Sequence, residues 1–132
     1  MEVTKLMKEY ASEINGQYSE YDLNRSVVIV PLPGGRYQSV RGGKIENAKY
    51  KKPVVQLLSK VCRTSDNINY PELLEHNGDS IDSRFVVIGD FLMVETTVVV
   101  DLLTPSMLKQ LILETARLAD LWEHKITGED VH

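Results

Sequence analysis

The stretch Arg84-Phe85-Val86-Val87-Ile88-Gly89-Asp90-Phe91-Leu92-Met93-Val94-Glu95-Thr96-Thr97-Val98-Val99-Val100-Asp101-Leu102 decides how this chain folds. Two runs rich in β-branched and aromatic residues are separated by two residues with glycine first, the composition of a type II′ hairpin turn. The pattern predicts strands over 84–88 and 91–102. Alternation places Leu92, Val94, Thr96, Val98, Val100 and Leu102 on one face of the second strand. Phe91, Met93, Glu95, Thr97, Val99 and Asp101 take the other. Both faces carry apolar residues, so one flanking helix leaves the second face to be shielded by something else. That something is either another helix of this chain or a partner, and the sequence leaves the two open.

Immediately downstream, Thr104 suits a helix cap and Pro105 the first helical position. Leu108, Leu111, Ile112, Thr115, Leu118, Ala119, Trp122 and Ile126 then form one broad stripe that ends at Gly128. Upstream, Val3, Leu6, Met7, Tyr10, Ala11 and Ile14 recur at helical spacing, predicting a helix from Val3 to Asn15. Val27 to Leu32 reads as a strand, edge or terminal because of Pro31. Pro33-Gly34-Gly35 is a turn, Arg36 to Arg41 a second strand, and Gly42-Gly43 a further turn. Val54 to Arg63 reads as a third strand, with Leu57 and Val61 on one face and Leu58 and Cys62 on the other. Asn69 can cap a short helix with Pro71 and Glu72 in its first turn, Leu73 and Leu74 as its anchors, and Asn77-Gly78 as its end. The order is α-β-β-β-α-β-β-α, an α+β arrangement without the alternation of a parallel sheet, and we expect one domain over residues 1–132.

Composition agrees with a packed chain: 132 residues, 42% hydrophobic and 26% charged. A single cysteine, Cys62, forms no internal disulfide, no apolar run approaches the length of a membrane span, and the amino terminus lacks a leader pattern. We therefore expect a cytoplasmic protein with no membrane partner.

The net charge of −4 is unevenly spread. From Arg36 to Arg63 eight bases face Glu46 alone, whereas from Thr64 onward four bases face thirteen acids. Arg36, Arg41, Lys44, Lys51 and Lys52 are candidates for steering an acidic partner, although lysines at strand edges and loops also serve solubility. A nucleic-acid or anion-binding module built on residues 36–63, with Tyr37 and Tyr50 interleaved, is the alternative. The acidic total and the lack of a recognition-module motif weigh against it.

Catalytic patterns are thin. His76, His124 and His132 sit in no metal or nucleophile signature. Glu95 and Asp101, six residues apart on one strand, would stand about 20 Å apart, too far for joint acid–base work. Gly34-Gly35 and Gly42-Gly43 lack the spacing and following helix of a phosphate loop, and Cys62 reads as a small buried hydrophobe. We expect no enzyme, no cofactor and no metal.

Pro71-Glu72-Leu73-Leu74-Glu75-His76-Asn77, Ser83-Arg84-Phe85-Val86-Val87-Ile88-Gly89-Asp90 and Leu103-Thr104-Pro105-Ser106-Met107-Leu108, with the tail from Ala116 to Asp120 and on through Thr127-Gly128-Glu129-Asp130, resemble the type III secretion chaperone-like superfamily that includes YbjN-type domains. The resemblance runs from about Ser26 to Asp130. It implies a curved antiparallel sheet flanked by helices, frequent homodimers, polypeptide partners and no cofactor. The combined expectation is a non-catalytic protein-binding domain, chaperone-like or a regulatory adaptor. It would hold a polypeptide partner, or a second copy, on the face bearing Phe91, Met93 and Val99.

Overall fold

Ile88 pairs with Phe91 across Gly89-Asp90, and Gly89 adopts φ +60° while Asp90 does not enter the left-handed region, as the glycine-first turn requires. The computed structural model describes residues 2–65 and 67–128. Helix α1 (Val3–Glu13) leads into strands β1 (Gln17–Glu20) and β2 (Arg25–Leu32), a 3₁₀ turn over Pro33–Gly35, and strands β3 (Arg36–Glu46) and β4 (Pro53–Arg63). Helix α2 (Tyr70–Asp79), strands β5 (Ser83–Ile88) and β6 (Phe91–Val99), a 3₁₀ turn over Val100–Leu102 and helix α3 (Pro105–Thr127) complete the order. The fold is α+β. Six strands form one open sheet in the order β1-β2-β3-β4-β6-β5, every neighbouring pair antiparallel.

One row across this sheet shows where the core lies. Tyr18, Val28, Val40, Ser59, Val94 and Phe85 are successive cross-strand partners from β1 to β5. Met7, Tyr10 and Ala11 of α1 and Leu108, Leu111, Ile112 and Ala116 of α3 pack with Val28, Val40, Val55, Leu57 and Val98 in one cluster. Leu73 of α2 and Ala119 and Trp122 of α3 pack with Phe85, Leu92 and Val94 in a second. All three helices thus bury their apolar stripes on the same face of the sheet. Each fully buried large side chain there contributes about 1.5–3 kcal/mol of transfer free energy.

Helices α2 and α3 start where the sequence predicts, although α2 runs through Gly78 to Asp79 and is not stopped by Asn77-Gly78. The Asn69 side chain accepts from Glu72 N–H at 3.2 Å, and Thr104 Oγ1 accepts from Met107 N–H at 3.1 Å. Strand β1 is an addition to the expected order. Gln17-Tyr18-Ser19-Glu20 has no β-branched residue, and its extended form rests on pairing with Ser26–Ile29 of β2 and on a 2.7 Å hydrogen bond between the Tyr18 and Ser26 hydroxyls.

Four local expectations are corrected. Gly42-Gly43 is no turn, because β3 runs straight through both. A Cβ at Gly42 would stand 2.5 Å from Leu57 Cδ2, and one at Gly43 would stand 2.0 Å from the Asn24 carbonyl oxygen, so these glycines mark close approach. The chain reverses after β3 instead, where the Asn47 side chain accepts from Lys49 and Tyr50 N–H. A bulge between Lys60 and Cys62 turns Cys62 to the helix side, opposite Leu92 and beside Val61. Leu74 points outward at 68% exposure and leaves Leu73 as the anchor of α2. The last strand stops at Val99, so Asp101 lies in the following turn.

Candidate partner-binding face

The row beside the core row faces the other way. Ser19, Val27, Arg41, Leu58, Glu95 and Arg84 are successive partners from β1 to β5. Along the same face, Lys60 stands opposite Met93 and Met93 opposite Val86, while Phe91 lies between Arg63 and Ile88. Val54 stands between Ile45 and Val99. None of these residues belongs to the two clusters that the helices cover.

Cross-strand neighbours line up along this surface. Val54, Leu58 and Met93 are only 5%, 6% and 8% exposed although no helix residue of either core cluster packs with them. Phe91 and Val99 are half-buried, and Ile88 is exposed. Same-face pairs of this kind contribute about 0.2–1 kcal/mol each, less than core burial against a helix. The Phe91 ring carries Lys60 Nζ at 3.9 Å from its centroid and the Arg63 guanidinium carbon at 5.2 Å. Glu95 accepts from Gln56 Nε2 at 2.7 Å on one oxygen and from Arg84 Nη2 on the other.

The candidates named from sequence fall in different places. Phe91, Met93 and Val99 share the helix-free face, with Met93 nearly closed off by its neighbours. The five cations are not brought together. Arg41 is on the helix-free face, its guanidinium 4.9 Å from the Tyr21 ring centroid. Arg36 is on the helix side, bound to Asp120. Lys44 pairs with the core residue Val55 and so projects toward the helix side, while Lys51 and Lys52 are exposed in the loop before β4. In place of the last four, the register assembles Arg25, Lys60, Arg63 and Arg84 with Arg41. Sequence reasoning passed over these residues as a group because they come from four strands. The alternation of each strand was the available signal, once the faces of neighbouring strands were aligned.

Other chemistry-bearing residues lie elsewhere. His76 stacks edge-on with Phe85 and Trp122, centroids 5.2 and 5.9 Å away, and Cys62 is buried in the same cluster. His124 is exposed on α3, and His132 lies outside the described residues. The described residues contain no group of three metal-ligating side chains, and no helix among them is long and apolar enough to cross a membrane. A shallow groove of about 500 Å³ at the end of the sheet is lined by Gly16, Ile29, Pro31, Arg36 and Tyr37 among others, with no histidine or cysteine in its lining.

The arrangement is a pleated surface that carries both apolar and cationic side chains, on a sheet whose other face is covered by the helices. No family model and no curated protein matches this chain.

Proposed function

We propose that this is a non-catalytic protein-binding domain, a chaperone-like adaptor of the kind its sequence resembles, which holds a polypeptide partner on the helix-free face of its sheet. The observation that carries the reading is the collection of all three helices on the opposite face, which leaves Phe91, Val86 and Ile88 around the nearly buried Met93, and Val99 beside Val54 at the far end of β6, without a core-cluster helix over them. Exposed apolar residues interspersed with charge are a common form of interaction surface.

The test places the photo-crosslinking residue p-benzoylphenylalanine at Phe91, at Val99, or at the exposed Leu121 of α3, and compares adducts formed in the cell. Polypeptide adducts from positions 91 and 99, absent from 121 and suppressed by Phe91→Asp in the Val99-labelled chain, are the expected result. Adducts from 121 alone, or none from either sheet position, would overturn the reading.

A further inference from the structure

The helix-free face has a charge unlike that of the whole chain. The molecule carries a net −4, yet the paired strand residues of this face present Arg25, Arg41, Lys60, Arg63 and Arg84 against the carboxylate of Glu95, with Asp22 beside Arg25 in the turn before β2. Two of the five are matched locally. Arg84 is bound to Glu95, and Arg25 lies 3.8 Å from Asp22. Arg41, Lys60 and Arg63 have no carboxylate partner among the described residues, and the buried Nε of Arg41 donates to no acceptor among them. Lys60 is the next same-face residue after Leu58, which stands opposite Arg41, so Arg41 and Lys60 are diagonal neighbours, about 7–8 Å apart at the backbone.

Resting on the protein-binding reading above, we propose that the partner segment is acidic and amphipathic, its carboxylates received by Arg41, Lys60 and Arg63 and its apolar residues by Val99, Val86 and Ile88. A guanidinium with an unused donor and a low-polarity surround favours a carboxylate, and charge-assisted hydrogen bonds are roughly twice as strong as neutral ones. Charge complementarity selects among occupants. A second copy docking through this same face would bring two cationic surfaces together. A single-stranded nucleic acid would need open aromatic faces on which bases stack, but the Phe91 ring already carries Lys60 and Arg63, and the Tyr21 ring carries Arg41.

Fluorescence anisotropy tests this with short labelled peptides that share leucine and glycine positions and differ only in carrying Glu, Gln or Lys elsewhere, beside an oligo-dT strand. The Glu peptide is expected to bind roughly tenfold tighter than the Gln peptide at low salt, with the gap closing as ionic strength shortens the screening length. Replacing Arg41, Lys60 and Arg63 by Gln removes that preference. Replacing Lys44, Lys51 and Lys52 by Gln, which deletes the same charge elsewhere, preserves it. Circular dichroism checks folding, and should the triple variant unfold, the exposed single change Arg63→Gln carries the test with a smaller loss. Equal affinity for the Glu and Gln peptides, both lost in Phe91→Asp, would overturn the acidic partner and leave the protein-binding reading standing. Binding of oligo-dT alone would replace the proposal with a nucleic-acid site, and failure of every probe would remove it.

Discussion

Arg36 and Asp120 join the start of β3 to the middle of α3 across 84 residues, with Arg36 Nε 3.2 and 3.1 Å from the two Asp120 oxygens and Nη2 3.0 Å from Oδ2. Asp120 is 5% exposed while the Arg36 side chain reaches solvent, so this pair is partly desolvated and two-pronged. Asp120→Ala is expected to destabilise the fold by about 2–3 kcal/mol in chemical denaturation, because it leaves a half-buried guanidinium without its main acceptor. Peptide binding on the opposite face is expected to persist in that variant.

Gly43→Ala is expected to cost more than Gly42→Ala. The added methyl at position 43 meets the Asn24 backbone, which moves only with β2, whereas at 42 it meets the flexible ends of Leu57 and Met7. Overpacking penalties run about 1–3 kcal/mol, and thermal melts should place the two substitutions toward opposite ends of that range.

A run of hydroxyls threads the sheet into α3. Ser83 Oγ and Thr96 Oγ1 share a 2.7 Å hydrogen bond, Thr96 and Thr115 another of 2.7 Å, and Thr115 Oγ1 donates to the Leu111 carbonyl at 2.6 Å. Thr96→Val keeps the shape but takes a partner from two hydroxyls. A loss of about 1–2 kcal/mol is expected in urea titration, with a smaller loss if Ser83→Ala is added, since one unsatisfied group is then removed.

Stability is expected to decline at alkaline pH through Tyr10. Burial raises its phenol above the ordinary 10.0, opposed by the Arg117 charge and helped by Glu13. A raised phenol pKa means the folded state holds its proton longer than the unfolded chain. The contribution is therefore whole below pH 10 and is lost as pH rises through the folded value. Tyr10→Phe should flatten the fall above pH 10 in a pH series of thermal melts.

Leu58 and Phe91 separate structure from recognition on one face. Leu58 is nearly buried under its cross-strand neighbours, so Leu58→Ala is expected to cost about 2–3 kcal/mol, while the half-buried Phe91→Ala should cost less and weaken partner adducts more. Equal stability losses with unchanged adduct formation would count against the division.

Much of the architecture was readable without coordinates because local rules governed it. Period-2 alternation and a glycine-first turn specify the hairpin of β5 and β6, and a capped helical stripe specifies α3. Strand β1, the bulge at Val61 and the passage of β3 through its glycines were not readable, since each depends on what stands across from it: Val28 for Tyr18, Leu92 for Cys62, Asn24 for Gly43.

By itself the sequence determined that the last hairpin is apolar on both faces and that cations cluster between residues 36 and 63. Only the tertiary structure decided that all the helices gather on one of those faces, and that the cations divide. Arg41, Lys60 and Arg63 go to the open face, Arg36 and Lys44 to the helix side, and Lys51 and Lys52 to a loop. The reason is geometric. Side-chain direction along one strand follows from its own alternation, but the faces of different strands are aligned by cross-strand register, which a single bulge shifts and no one segment encodes.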